Sequence, residues 1–278
     1  MTTTSATEQA EHKGSRTSAD EARRRMLAVG LNYVKSNGLS VGFDEFRLDD
    51  VISAAGVSRT TAYRLWDNKS SFVDDVLEEA AKFGSANLLI SGDICSTLKL
   101  VDANRNLCAT VEGRNRLLHL IVKVELENNY YATIDSAAWQ SFLAISATLL
   151  GNVKPDMRVR LESCLCEGSA QFIDSMVDFY TELLRLLGFR LRAGRGSIRL
   201  FATLSSSIVE GLAVRHLSNP KITDSFYAVS APACDEAEGW SPAAIGFLAL
   251  FDYFVEPDPD FNFRRLIRGL DEYASGRT

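Results

Sequence analysis

The stretch "AAGVSRTTAYRLW", residues 54–66, constrains the fold more than any other part of the chain. Two short helix-like runs flank Gly56, and a helix that must stop and restart within three residues needs one that tolerates positive φ. Ala54, Ala55 and Val57 are small enough for the two helices to cross closely. Ser58 is a good N-cap, and residues 59–65 then form a short helix crowded with side chains that donate hydrogen bonds or stack.

The flanking sequence supplies the rest of a small helical module. From Ser18, Met26, Leu27, Gly30, Leu31 and Val34 recur near helical spacing until Asn37 and Gly38 provide a stop. A second helix is predicted from about Leu48 to Ala54, with Val51, Ile52 and Ala55 inward. Asp67 and Asn68 end the third helix, and Ser70 to Phe83 reads as an amphipathic fourth with Phe72, Val73, Val76, Leu77 and Ala80 on one side. Residues 1–18 are polar and without periodicity, which predicts a disordered arm. The domain reading is therefore an arm at 1–18, a helix-turn-helix domain at 19–83 and a larger helical domain at 84–278.

Three short helices followed by a fourth, with a tight turn between the second and third, are what a helix-turn-helix requires. The third helix then offers a free face to the major groove of DNA. Ser58, Arg59, Thr60, Thr61, Tyr63 and Arg64 can donate to base edges and phosphates. Lys69 precedes the fourth helix, where the helix dipole assists phosphate contact. The formal charge of -6 and pI near 5.2 argue against a chain that coats nucleic acid without specificity. Locally the balance reverses, with Arg59, Arg64 and Lys69 against Asp67 alone within residues 59–69. The plain alternative is an αα hairpin whose polar residues are simply solvated.

"RLDDVISAAGVSRTTAYRLWDNKSSFVDDVLEEA", residues 47–80, resembles the DNA-binding domain of TetR-family transcriptional regulators, and "RRRMLAVGLNYVKSNG", residues 23–38, is similar to that family's first helix. Ala55, Gly56, Val57 and Ser58 match the family's "AGVS" turn. Thr61, Tyr63, Arg64 and Trp66 occupy its Thr, Tyr, basic and Phe places, and Lys69 its lysine. The resemblance covers about residues 20–83. It implies a homodimer on a palindromic operator, with repression relieved by a small ligand. On that model Tyr63 and Lys69 hold phosphates, Arg59, Thr60, Thr61 and Arg64 lie nearest the bases, and Arg47 reaches the backbone. Thr60 departs from the family's usual glycine, and the acidic "LSVGFDEF", residues 39–46, is longer than its usual connection. Trp66 in place of Phe is expected to pack against the first helix.

Beyond residue 83 nearly every stretch carries helical period, so the expected fold class is all-α. The candidate helices are Arg114 to Asn128, Ala137 to Leu150, Pro155 to Leu187, Gly196 to Leu217, Pro242 to Val255 and Phe261 to Ala274, with a long loop from Ser218 to Ser241. Phe201, Leu204, Ile208 and Leu212 on one helix and Phe247, Leu248 and Phe251 on another are the candidate dimer interface; burial in the monomer core explains the same stripes. Trp139, Phe142, Phe172, Met176, Phe179 and Tyr180 are the candidate lining of a mainly apolar ligand cavity, although aromatic stripes also serve packing alone. His119 and His216 need no functional role.

No secretory signal and no run of about 18 apolar residues is visible, which predicts a cytoplasmic protein without a membrane span. The five cysteines are scattered, and Cys164 and Cys166 would point about 200° apart on a helix, so neither a disulfide framework, a metal site nor a cofactor is expected. The leading reading is a non-enzymatic, ligand-responsive regulator, most simply a repressor, with a double-stranded operator, a small apolar effector and a second copy of the chain as partners. A helical partner- or ligand-binding module that has lost DNA recognition, and a helical enzyme, stay open beside it. Against the enzyme, three histidines and scattered cysteines form no catalytic constellation.

Overall fold

The structure, a computed structural model, describes residues 4–37, 47–86, 94–229 and 238–274. Over these described residues the fold is all-α, with two short β ribbons. In chain order the elements of the first half are α1 (Thr4–Asn37), α2 (Leu48–Ala55), α3 (Arg59–Leu65), α4 (Lys69–Ala86), α5 (Ile94–Ala103), a 3-10 turn (Arg105–Ala109), α6 (Val111–Ile121), a π-helical turn (Val122–Leu126), α7 (Glu127–Asp135) and α8 (Ala137–Thr148). There follow α9 (Pro155–Leu187), β1 (Phe189–Leu191), α10 (Ile198–Ser218), α11 (Pro220–Thr223), β2 (Tyr227–Val229), β3 (Glu238–Trp240), α12 (Pro242–Phe254), β4 (Val255–Pro257) and α13 (Phe263–Ala274).

Several expectations are corrected. Residues 4–18, read as a disordered arm, continue α1; Ala6, Glu8, Gln9, Ala10, Glu11 and Lys13 are good helix formers and no proline interrupts them. The helix expected over Arg114 to Asn128 divides at the π turn, and α5 and the 3-10 turn were not anticipated. The start of α10 moves to Ile198 because Gly194 and Gly196 hold φ of 77° and 128°, which no helix accepts. The described ends of the long loop carry α11 and pair β2 with β3, Tyr227 opposite Trp240. Strands of three residues are too short to show alternation. The acidic stretch 39–46 lies outside the described residues.

The chain forms two compact units, Met1–Leu88 with Ala137–Ser169, and Leu89–Ser136 with Ala170–Thr278. The first therefore takes in α8 and the beginning of α9, which the sequence reading assigns to the larger domain. Its core joins Met26, Val34, Val51, Ile52, Ala62, Trp66, Phe72 and Val76 to Ile145 and Leu161. Glycine makes that packing possible: a Cβ on Gly84 of α4 would lie 2.9 Å from the Phe142 backbone nitrogen of α8.

The second unit is built on Leu117, Leu118, Leu184, Leu187, Phe201, Phe247, Phe251 and Phe254. Its rings meet mostly edge to face, Tyr180 to Phe201 at 5.0 Å and Phe189 to Phe251 at 5.2 Å. Such pairs add about 0.5–1.5 kcal/mol each beyond area burial. β1 and β4 pair antiparallel at its edge, with Arg190 and Glu256 opposite each other and bonded at 2.9 Å.

Candidate nucleic-acid interface and ligand cavity

The α2–α3 turn follows from local chemistry. Gly56 ends α2 in the left-handed region at φ 62°, ψ 35°. Its N–H donates to the Ser53 carbonyl at 3.1 Å and that of Val57 to the Ile52 carbonyl at 3.2 Å, so the last carbonyls of α2 are satisfied as a Schellman motif. Ser58 then caps α3, its Oγ accepting from the Thr61 N–H at 3.1 Å and lying 2.8 Å from Thr61 Oγ1.

Two residues seat α3 in the core, Ala62 at 1% and Trp66 at 3% exposure. The indole N–H of Trp66 donates to Asp75 Oδ2 at 2.7 Å, and its ring stands edge-on to Phe72 at 4.8 Å. Arg23 of α1 reaches the same carboxylate oxygen at 2.6 Å and lies 5.9 Å from the indole centroid, so Trp66 packs against the first helix as expected. Asp75 thereby ties together α1, the end of α3 and α4.

The remaining face of α3 is open to solvent, with Arg59, Thr60, Tyr63 and Arg64 exposed. Arg47 is exposed at the N-cap of α2. Lys69 is the first residue of α4, half-buried behind the cap that Asn68 forms with the Ser71 N–H at 2.9 Å. All eight residues assigned to DNA thus belong to the α2–α4 segment, but not in equal freedom. Ser58 and Thr61 bind each other, and Arg59 meets Asp49 Oδ1 at 3.2 Å. The sequence reading missed Asp49, although its place in the first turn of α2 beside Arg47 was visible.

In the second unit a cavity of about 80 Å³ lies between three stretches of chain. Met176, Phe179, Tyr180 and Leu183 of α9 form one wall. Ile121, Val122, Glu125, Leu126 and Asn129 form another, and Thr97 and Phe247 complete the lining. Burial pushes the Tyr180 hydroxyl up to about 12, opposed in part by the nearby Ser205 side chain, so it stays neutral.

Of the six candidate cavity residues, Met176, Phe179 and Tyr180 line this cavity together. Trp139 and Phe142 do not: both belong to α8 in the first unit, where Trp139 is buried and Phe142 packs on the core. Phe172 is half-buried on α9 and does not line the cavity. Glu125, Asn129 and Thr97 also line it, and no aromatic pattern marks them in the sequence.

The candidate dimer residues also separate. Phe201, Phe247 and Phe251 are core, at 0%, 5% and 5% exposure. Leu204 is exposed, while Ile208, Leu212 and Leu248 are half-buried; the Ile208 side chain lies against Gly246 of α12. An outward stripe on α10 runs instead through Leu200, Leu204, Ser207, Gly211 and Val214, alternating four and three residues apart.

Among the described residues no helix is long and apolar enough to cross a membrane, and no group of three or more His, Cys, Asp or Glu could hold a metal ion.

No family model matches the sequence, and no curated protein sequence matches it either. The chain is similar to solved structures of TetR-family transcriptional regulators over most of its length. One is Escherichia coli NemR in its reduced form, at 14% identity, covering 85% of this chain and 98% of that one with a TM-score of 0.41. Another is a protein assigned to the TetR family from Vibrio parahaemolyticus, at 17% identity, 84% and 99% coverage and a TM-score of 0.40. A third, from Mesorhizobium loti, has 13% identity, 85% and 98% coverage and a TM-score of 0.41.

Proposed function

We propose that the protein is a transcriptional regulator that binds an operator as a homodimer and is released from it by a small ligand. The observation that carries this reading is the division of α3 into two faces. Ala62 and the adjoining Trp66 anchor the helix, while Arg59, Thr60, Tyr63 and Arg64 all stand in solvent. A seven-residue helix held by a cap, a left-handed glycine and a buried tryptophan is rigid enough to present those groups to a major groove. Arg64 and Arg59 suit guanine, Tyr63 and Lys69 suit phosphate, and Ser58 and Thr61 set the shape of the reader. Two such readers joined by the outward stripe of α10 would meet successive turns of DNA, about 34–36 Å apart.

A ligand releases DNA only by binding better to a conformation whose reader spacing is wrong. The cavity walled by Met176, Phe179 and Tyr180 is the proposed seat, and α4 is the element proposed to shift. Replacing Arg64 with alanine is expected to weaken binding to the operator recovered by selection by about 1–3 kcal/mol in a gel-shift titration. Unchanged affinity in both R64A and R59A contradicts the assignment.

The Arg59–Asp49 pair favours a second reading, a module that no longer reads DNA. Affinity that does not fall as salt rises would support it, because phosphate contacts release counterions.

A further inference from the structure

We propose that the cavity of the second unit takes a small organic cation, an alkylammonium or quaternary ammonium group, with its charge beside Glu125 and its hydrocarbon against Phe179, Tyr180 and Phe247. This rests on the reading of that cavity as the effector site and names the chemistry of its occupant.

Glu125 is the charged residue among the cavity's otherwise apolar and neutral lining, and no lysine, arginine or histidine faces it there. Its Oε2 accepts from Ser96 Oγ at 3.0 Å, and no ion pair to Glu125 is formed among the described residues. Lys123, the basic residue nearest in sequence, lies over the Trp240 ring at 5.6 Å. A neutral apolar occupant would cover the Glu125 carboxylate without giving it a partner, whereas an ammonium would pair with it.

The backbone points the same way. Ile121, Glu125 and Asn129 all line the cavity at intervals of four. An α-helix drifts by about 40° over four residues, so all three fall on one helical face. The π turn at Val122–Leu126 lies within that face. Such turns cost regularity and recur at functional sites.

The opposite wall suits the rest of a cation. Tyr180 stacks on Phe247 at 5.9 Å and stands edge-on to Phe179 at 5.3 Å, and aromatic faces attract ammonium groups. The volume of about 80 Å³ limits the occupant to roughly five to eight non-hydrogen atoms, since one water needs about 10–15 Å³ of such space.

The test compares cyclohexylammonium with cyclohexanol, nearly equal in shape, by ligand-observed NMR titration of the full chain. The ammonium is expected to bind at least about tenfold more tightly, E125Q to bring the two to within about twofold, and M176W, which fills the cavity, to abolish both. The comparison on the unaltered protein stands whether or not either variant folds. Equal binding of the two probes, or tighter binding of the alcohol, overturns the cation while leaving a ligand cavity. Binding of neither probe, or ammonium binding that survives E125Q and M176W, overturns the site. A parallel gel shift separates this from the regulator reading, since an ammonium-selective protein that ignores DNA would keep the cation and lose the operator.

Discussion

In the proposed reader Asp49 competes with DNA for Arg59. It stands 3.2 Å from Arg59, and both side chains are at least half exposed, so the pair contributes little to folding. In the proposed complex the arginine leaves it for a base, and the carboxylate then faces phosphates. D49N is therefore expected to tighten operator binding by about 0.2–1 kcal/mol, the range of an exposed ion pair, in a gel-shift titration. Weaker binding would mean that Asp49 orients Arg59 toward its base.

His119 shows a different use of a single group. It is buried with Nδ1 unpartnered, edge-on to Trp240 at 5.8 Å, and burial holds its pKa below the ordinary value, with Asp252 opposing. The unfolded chain binds the proton that the folded one refuses, so stability falls as pH drops below about 6.5. H119F is expected to lose less stability than the native protein between pH 7.5 and 5.5 in urea denaturation. Equal losses would show that His119 is not the group responsible.

At the scale of elements, what was legible in the sequence was what neighbours in the chain decide. The turn, the cap and the span of α3 follow from Gly56, Ser58 and Asp67, and α9 occupies Pro155–Leu187 as its helical pattern predicts. Which partner an apolar face meets is decided by residues far away, and there the reading failed. Trp139 and Phe142 look like cavity aromatics and pack in the first unit, while Phe201, Phe247 and Phe251 look like an interface and form a core. The π turn escaped because hydrophobic periodicity assumes one pitch throughout.

The outward stripe of α10 carries its own prediction. Leu200, Leu204 and Val214 are 43%, 36% and 43% exposed, with Ser207 and Gly211 between them to permit close approach. Glutamate at position 204 would set a charge on that face without entering the core. L204E is expected to shift the molecular mass in sedimentation equilibrium from two chains toward one while its thermal unfolding stays close to native. A dimer that survives L204E would place the interface elsewhere.

For the whole molecule the proposal is one of linkage between two equilibria. If a ligand lowers affinity for DNA by some factor, DNA lowers affinity for the ligand by the same factor. A net charge of -6 opposes binding to bulk nucleic acid, so on this proposal affinity comes from a small basic reader used twice. Selection of bound duplexes from a random library tests this most directly. The account predicts an inverted repeat whose half-sites are centred about one helical turn apart, roughly 10–10.5 base pairs. Recovery of no enriched sequence, or of a single unrepeated site, would contradict it.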